Sequence, residues 1–125
     1  MVNELEKMLI AIIDDDESLR TTLVDFVELL GYVARGFASG EEFIASELDG
    51  LCNCIITDIY LPGMSGLELT RLLHSRRSSI PVIVITARFD PGIESTAAAH
   101  GALCLLRKPF DGDVLADCLE KALEV

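Results

Sequence analysis

Acidic side chains follow the first apolar run of the sequence without a break. Residues 11–17 read A-I-I-D-D-D-E, so Asp14, Asp15 and Asp16 come directly after a stretch with the character of a buried strand. Carboxylates a few ångströms apart repel one another unless a cation joins them. The cluster is therefore either a solvated, helix-capping turn or a site that needs a positive charge.

Other polar side chains stand at the ends of later apolar runs. Asp58 follows the third run, Thr86 ends the fourth, and Lys108 comes shortly after the fifth. An all-oxygen set selects a hard cation, and Mg²⁺ typically keeps several waters and can accept a phosphoryl oxygen. An aspartate beside such an ion can attack phosphorus and form an acyl phosphate. Taken together, these positions predict a phosphoryl-transfer site.

The elements that would position these side chains are five short strands and the helices between them. The strands are predicted at Met8–Ile13, Tyr32–Phe37, Cys54–Thr57, Pro81–Thr86 and Leu103–Leu106. Most of these segments are almost wholly apolar, which is typical of strands covered on both faces. The second segment is the most polar, which favours an edge position.

Helical patterns separate the strands. The first helix ends at Gly31, and Ser39 and Ser65 each begin a capping box. An alanine-rich helix is predicted at Ile93–His100, and Asp111 is expected to cap the last helix. This alternation predicts an α/β, flavodoxin-like, doubly wound fold with five parallel strands in the order 2-1-3-4-5 and five helices. Ligands bind such folds at the carboxyl ends of the central strands.

Composition narrows the class of protein. The 125 residues suit one domain, and half of them are hydrophobic, which excludes disorder. The net charge of −11 repels nucleic acids and anionic membranes, so direct DNA binding is not expected. No apolar run approaches the roughly 20 residues needed to span a bilayer. Residues Met1–Lys7 lack the features of a signal peptide, so a cytoplasmic location is expected.

The cysteines do not have the spacing of a zinc site. Cys52 and Cys54 form a C-x-C pair, whereas Cys104 and Cys118 stand alone in the sequence. We interpret all four as small buried hydrophobic side chains in a reducing compartment.

The sequence resembles the receiver domain of bacterial two-component response regulators. The resemblance rests on the blocks I-I-D-D-D-E-S-L-R (12–20), T-D-I-Y-L-P-G-M-S-G (57–66), V-I-V-I-T-A (82–87), H-G-A (100–102) and R-K-P-F (107–110). These blocks occur in order and at fitting spacings over about residues 8–123. The resemblance implies a single receiver domain over residues 1–125, with no effector domain in this chain.

The resemblance also implies roles at the acidic site. Asp58 would be the phosphoacceptor. Asp15 would bind Mg²⁺ directly, Asp14 through a water, and the backbone carbonyl of Tyr60 would supply another ligand; Mn²⁺ can substitute. Asp16 lies outside the usual pair and is interpreted as a helix-capping or solvated residue.

Further roles concern phosphoryl binding and the switch. Thr86 would move its hydroxyl towards the phosphoryl group, and Lys108 would pair with a phosphoryl oxygen. The peptide before Pro109 is expected to be cis. Leu105 stands where many receivers carry an aromatic residue, so signalling is expected to use repacking of Leu105 in place of ring rotation.

Two side chains flank the expected phosphoryl site. The resemblance implies that Tyr60 and Arg88 tune how fast water attacks the acyl phosphate, and we expect a long phosphoryl lifetime. The alternative is that both side chains point into solvent. With Phe89, Arg88 would also belong to the switch surface, where Phe89 is either a docking contact or part of the core.

The function implied is that of a signalling phosphoacceptor, which is not an enzyme acting on external substrates. The donor would be the phosphohistidine of a sensor histidine kinase or phosphotransfer protein. The phosphorylated chain would switch the surface of its fourth helix, fifth strand and fifth helix to control an output domain or partner. That same surface is a candidate for homodimerisation.

The residues disfavour three other functions. A haloacid-dehalogenase-like phosphatase needs a second aspartate two residues after the nucleophile, where this chain has Tyr60. A flavodoxin-type binder needs a phosphate loop after the first strand, where Asp14, Asp15 and Asp16 would repel phosphate. The complete acidic site argues against a receiver-like scaffold that never binds phosphate.

Overall fold

A five-stranded parallel sheet forms the centre of the molecule. The computed structural model describes residues 8–76, 78–88 and 90–124. Within them the strand order is β2-β1-β3-β4-β5, which confirms the predicted flavodoxin-like order. Each strand was predicted to within one residue at either end. The bounds are β1 Leu9–Ile13, β2 Val33–Phe37, β3 Cys54–Asp58, β4 Val82–Thr86 and β5 Cys104–Arg107.

Helices connect successive strands, as the parallel arrangement requires. The described residues form five α-helices and one short 3₁₀ helix at Leu48–Gly50. The α-helices are α1 Glu17–Leu29, α2 Gly40–Ala45, α3 Gly66–Ser75, α4 Ile93–Ala99 and α5 Gly112–Leu123.

Three helices begin with a side-chain cap. The side chains of Asp16, Ser39 and Ser65 each accept a hydrogen bond from the backbone N–H three residues ahead, at 3.2, 3.0 and 3.1 Å. These bonds satisfy N–H groups that the first helical turn leaves without an internal partner. Asp16 is therefore a capping residue, which is one of the two roles predicted for it from the sequence.

The start of α5 differs from the prediction. Asp111 precedes α5, but its side chain makes no capping hydrogen bond. The backbone carbonyl of Asp111 accepts from the N–H of Val114 at 3.0 Å, so the turn is closed by main-chain atoms. The position of the helix start was right, and the capping role of the carboxylate was wrong.

The sheet separates two apolar layers. Alternate residues of β1 face opposite ways, so Ala11 and Ile13 pack in one layer while Ile10 and Ile12 pack in the other. All four are 0–1 % exposed. β1 and β3 are thus covered on both faces, whereas β2 lies at an edge as its polar composition predicted.

The strand register fixes which residues meet at the carboxyl edge. Ile13 pairs with Thr57, so the residues that follow them, Asp14 and Asp58, lie next to each other at this edge. On the other side of β3, Asp58 pairs with Ile85, the residue before Thr86. The predicted site residues of β1, β3 and β4 therefore converge at this edge.

The four cysteines are free thiols at different depths. Cys52 and Cys54 are buried, whereas Cys104 and Cys118 are half-buried. Burial raises the pKa of Cys54 to about 12 and that of Cys52 to about 11. Among the described residues, no helix has the length and apolar character needed to cross a membrane.

Candidate phosphoryl-transfer site

Three carboxylates meet at the carboxyl edge of the sheet. One oxygen each from Asp14, Asp15 and Asp58 lies within 4.8 Å of the other two. Asp14 is 2 % exposed, Asp58 is half-buried and Asp15 is exposed. The set therefore has a buried end in the sheet and an open end from which a solvated ion can approach.

The ammonium of Lys108, which directly follows β5 at the same carboxyl edge, contacts this acidic group. Its Nζ lies 3.0 Å from Asp58 Oδ2 and 3.4 Å from Asp14 Oδ2. The backbone N–H of Lys108 donates to the carbonyl of Thr86 at 2.8 Å, which extends the ladder beyond β5 and positions the side chain. One cation already bridges two of the carboxylates, so the cluster is partly neutralised by the chain itself.

Burial and charge act in opposite directions on these groups. Burial raises the pKa of Asp14, and the charge of Asp58 adds to the rise, outweighing the hydrogen bond from Asp16 N–H and the charge of Lys108. Burial lowers the pKa of Lys108, but its hydrogen bond to Asp58 and the charges of both aspartates outweigh it, so the pKa is raised. The Asp14 side chain is 3 % exposed and that of Lys108 is 20 %; burial is the largest single influence on the pKa of both groups, but it sets the direction of the shift only at Asp14.

The loops after β1 and β3 are fixed by backbone hydrogen bonds. Asp16 N–H donates to Asp14 Oδ1 at 2.9 Å, and Tyr60 N–H donates to Asp58 Oδ1 at 3.2 Å. Arg20, on α1, donates from Nη1 to the backbone carbonyl of Asp14 at 2.8 Å. These contacts hold both carboxylates in place and leave their other oxygens directed at Lys108.

A glycine allows α3 to start against the phosphoacceptor's own peptide. A Cβ built on Gly66 would lie 2.1 Å from the backbone oxygen of Asp58. The N–H of Gly66 donates to the carbonyl of Ile59 at 2.9 Å. No residue with a side chain fits this contact without moving the loop after β3.

Thr86 is buried, and its hydroxyl is engaged by the loop that follows β4. Thr86 Oγ1 donates to the carbonyl of Arg88 at 2.9 Å and accepts from the N–H of Arg88 at 3.0 Å. The hydroxyl therefore uses its one donor and one of its two acceptor lone pairs within its own loop.

Tyr60 and Arg88 contact each other, and the Arg88 side chain is at the same time 65 % exposed to solvent. The guanidinium carbon of Arg88 lies 4.3 Å from the centre of the Tyr60 ring. The Tyr60 hydroxyl donates to the carboxylate of Asp90, and Arg88 Nη2 lies 3.5 Å from Asp90 Oδ2. The hydrogen bond to Asp90 raises the pKa of Tyr60, with smaller contributions from burial and from the Asp90 charge.

The remaining predicted positions lie on the β5 side. The Lys108–Pro109 peptide is cis. Leu105 pairs with Val84 and is half-buried, beside a hollow of about 120 Å³ between α4 and β5. Phe89 lies outside the described residues, so its placement stays a prediction.

A larger cavity opens beside Lys108. It measures about 600 Å³ and lies between α1 and the segment that joins β5 to α5. Its walls are mostly apolar and include Leu19, Phe26, Phe110 and Leu115; Lys108, whose ammonium contacts the carboxylates, also lines it.

Sequence reasoning missed Arg20, Gly66 and Asp90 as parts of this site. Arg20 and Gly66 stood inside the blocks that carried the resemblance, but only the fold shows that they contact Asp14 and Asp58. The signal for Asp90 was weaker, since one acid in a loop-like segment is common. Its two partners, Tyr60 and Arg88, had been singled out.

The carboxylate set suits a hard divalent cation. Asp14, Asp15 and Asp58 offer oxygen ligands only, and the exposed position of Asp15 leaves room for retained waters. Within the part of the chain that the structure describes, no sulfur or imidazole ligand joins the group. The described residues can therefore hold a cation of the magnesium type, and the open side leaves space for a phosphoryl group next to Asp58 and Lys108.

Comparisons with curated proteins agree with this geometry. FixJ, a transcriptional regulatory protein of Rhizobium meliloti, is 34% identical over 113 residues, which are 90% of this chain and 55% of that protein. DctD of Pseudomonas aeruginosa, a C4-dicarboxylate transport transcriptional regulatory protein, is 34% identical over 116 residues, 93% of this chain and 25% of that protein. The chain thus spans between a quarter and about half of the length of these relatives.

Solved structures and a family model point the same way. The crystal structure of FixJ-N superposes with a TM-score of 0.84 at 32% identity and covers 94% of both chains. The response regulator StyR gives a TM-score of 0.87 at 31% identity over 94% of this chain and 60% of that one. The model of the response regulator receiver domain matches residues 10–120. The chain belongs to the response regulator receiver domain family.

Proposed function

We propose that Asp58 accepts a phosphoryl group from the phosphohistidine of a sensor histidine kinase or a phosphotransfer protein. The observation that carries this proposal is the shared pocket of Asp58, Asp14, Asp15 and Lys108. A carboxylate oxygen of Asp58 attacks phosphorus, a P–O bond forms, and the P–N bond to the donor imidazole breaks. The imidazole leaves with the electron pair of that bond and takes up a proton.

The chain's own residues position and neutralise the transferred group. Lys108, 3.0 Å from Asp58 Oδ2, is close enough to pair with a phosphoryl oxygen once Asp58 carries the acyl phosphate. Thr86 supplies the hydroxyl that turns towards the phosphoryl group, after leaving its two hydrogen bonds to the backbone of Arg88. The Lys108 ammonium supplies a positive charge and the Thr86 hydroxyl donates a hydrogen bond, both to phosphoryl oxygens that gain negative charge during the transfer.

The cofactor we propose is Mg²⁺, which Mn²⁺ can replace. Asp15 and Asp58 would hold it directly, Asp14 through a water, and the backbone carbonyl of Tyr60 would complete the protein ligands. When bound, the ion neutralises charge on the transferring phosphoryl oxygens. The exposed carboxylate of Asp15 and the oxygen-only ligand set support this choice.

The donor protein is proposed to dock over the cavity between α1 and the segment before α5. A phosphohistidine must reach Asp58 from the open edge of the sheet, and this cavity begins at Lys108, beside that edge. Its apolar walls suit the apolar face of a partner helix, which would bring the imidazole to the carboxylates. The activity is that of a signalling switch, and the only turnover proposed is slow loss of the chain's own phosphoryl group.

The output is proposed to pass through the α4–β5–α5 surface. Leu105 lies on this surface beside the hollow of about 120 Å³, which leaves it room to repack. The surface would control an output domain or partner, or pair with a second copy of the chain. Because FixJ and DctD are named as transcriptional regulators, a transcriptional output is the one we propose, with the DNA contacts made outside this acidic chain.

The site also supports a long phosphoryl lifetime. Tyr60 and Arg88 lie two residues after Asp58 and Thr86, respectively, close to the position of the phosphoryl group, so either side chain can restrict the approach of water to phosphorus without being stacked on the other. Replacing both, by Tyr60→Asn and Arg88→Glu, is expected to accelerate loss of the phosphoryl group. An unchanged rate of loss in this double variant would refute the role in lifetime.

The central proposal is tested by incubation with acetyl phosphate and Mg²⁺, followed by intact mass spectrometry. Wild type should gain one phosphoryl group, and Asp58→Asn should gain none. Omission of Mg²⁺ should slow the gain strongly. A wild type that gains no phosphoryl group, or an Asp58→Asn variant that gains one as fast, would contradict the proposal.

A further inference from the structure

Three side chains join the loop after β3 to the loop after β4. The carboxylate of Asp90 accepts from the Tyr60 hydroxyl and lies 3.5 Å from Arg88 Nη2. The guanidinium of Arg88 covers the Tyr60 ring at 4.3 Å. We name this group of Tyr60, Arg88 and Asp90 the clasp. Asp90 is the central member because its carboxylate binds both of the others.

The clasp and the switch hydroxyl share one residue. The backbone of Arg88 holds the Thr86 hydroxyl through two hydrogen bonds, while the side chain of Arg88 is held by Tyr60 and Asp90. The clasp thus stabilises the loop conformation in which the Thr86 hydroxyl is hydrogen-bonded to the backbone of Arg88. For Thr86 to reach a phosphoryl group, both backbone bonds must break and the loop must change.

We propose that Asp90 is a positioning residue that holds the loop after β4 in its unphosphorylated arrangement, and that the clasp opens when a phosphoryl group is attached to Asp58. This inference rests on the proposed function of Asp58. Capture of the Thr86 hydroxyl by the phosphoryl oxygens removes the backbone bonds that fix Arg88. The new negative charge also offers the guanidinium an alternative to the single carboxylate of Asp90.

Linkage turns this arrangement into a measurable quantity. If the phosphorylated form requires an open clasp, wild type must open the clasp before it binds a phosphoryl mimic. A variant without the clasp should then bind the mimic more tightly by a factor set by the equilibrium constant for closing the clasp. For a partly exposed ion pair with one charged hydrogen bond we expect about a fivefold gain, which corresponds to about 1 kcal/mol.

The first test measures the affinity for beryllofluoride by calorimetry in the presence of Mg²⁺. Asp90→Ala should bind it about fivefold more tightly than wild type. The matched control is Asp25→Ala, which removes the same charge from an exposed position on α1 and should leave the affinity unchanged. Tyr60→Phe should give part of the gain, and its combination with Asp90→Ala should add little to Asp90→Ala alone.

The second test reads the clasp directly. The chain has no tryptophan and two tyrosines, so a Tyr32→Phe variant emits from Tyr60 alone. A phenol that donates to a carboxylate emits weakly, so beryllofluoride with Mg²⁺ should raise the Tyr60 emission. With Asp90→Ala added, the emission should be high from the start and should not rise further.

The outcomes separate this inference from the proposed function. If wild type neither binds beryllofluoride nor accepts a phosphoryl group, the proposed function fails first. If wild type does both, but Asp90→Ala matches Asp25→Ala in affinity and the Tyr60 emission stays constant, the clasp has no part in switching. A weaker affinity in Asp90→Ala would likewise overturn the inference, since it would mean that the clasp favours the phosphorylated form.

Discussion

Replacing Asp14 by asparagine is expected to stabilise the metal-free protein. At an effective dielectric constant of about 20, Coulomb's law gives about 5 kcal/mol of attraction between Asp14 and Lys108 at 3.4 Å. The same law gives at least about 3.5 kcal/mol of repulsion between Asp14 and Asp58, whose oxygens lie within 4.8 Å of each other. The net attraction of at most about 1.5 kcal/mol is smaller than the several kcal/mol needed to bury one ion.

The balance therefore favours the uncharged side chain. Asparagine keeps an oxygen that can accept from Asp16 N–H, and Lys108 keeps its closer partner, Asp58, at 3.0 Å. We expect Asp14→Asn to raise the free energy of unfolding by about 1–2 kcal/mol at pH 7 with a chelator present. For a chain of this size, each kcal/mol of added stability raises Tm by roughly 3–5 °C.

The pH dependence has a defined sign. Because the folded-state pKa of Asp14 is raised, folded wild type binds a proton more tightly than the unfolded chain does. Stability from this group is therefore greatest at low pH and falls as the pH rises from the ordinary aspartate pKa of 3.8 through the raised pKa of the folded state. The advantage of Asp14→Asn should grow over that same interval and then remain constant.

The assay is urea unfolding in chelator and again in excess Mg²⁺. Mg²⁺ at ten times its Kd should stabilise wild type by about 1.4 kcal/mol and Asp14→Asn by much less. Asp16→Asn is the matched control, because it removes an exposed charge nearby while asparagine remains a good helix cap. If Asp14→Asn unfolds more easily than wild type in chelator, the reasoning that burial outweighs the ion pair is wrong.

Two further predictions follow from the same site. Gly66→Ala should lower the free energy of unfolding by about 2–4 kcal/mol and slow phosphorylation of Asp58, because its Cβ would lie 2.1 Å from a backbone oxygen. The control is Gly50→Ala, which has open space around it and should be neutral or slightly stabilising. Equal urea midpoints for the two variants would contradict this prediction. Lys108→Met should destabilise the metal-free protein by about 3 kcal/mol yet bind Mg²⁺ more tightly in calorimetry, because the competing cation is gone. Wild type should lose this stabilisation as the pH rises above 10.5 through the raised pKa of Lys108, while Lys108→Met should not; weaker Mg²⁺ binding in the variant would refute the competition.

Much of this architecture was predictable because it follows from patterns along the chain. Apolar runs located each strand to within one residue, and residues such as Ser39 and Ser65 marked helix starts through local hydrogen bonds. The convergence of Asp14, Asp58 and Lys108 was predictable because parallel strands present their carboxyl ends at one edge. These inferences need only periodicity, local chemistry and topology.

What could not be predicted depends on loop geometry and on side-chain direction. The contact of Asp90 with Tyr60 spans 30 positions in sequence, and no periodicity links two loops. The missing cap at Asp111 has the same origin, since residue type fixes the position of a helix start but not the rotamer there. The role of Lys108 as a cation in the metal-free site was also missed, because sequence alone suggested that a divalent ion was needed to hold the acids together.

The pairing of β3 with β4 sets a limit on how this protein can signal. Asp58 lies opposite Ile85, so Thr86 is one step further along the neighbouring strand, and four paired positions hold the two strands together. A slip by one residue would turn every side chain of β4 to the opposite layer and empty part of the core. The strand pairing therefore fixes the positions of the Asp58 and Thr86 backbones relative to each other. Phosphorylation of Asp58 can affect Thr86 only through rotation about side-chain bonds and through rearrangement of the loop that follows β4.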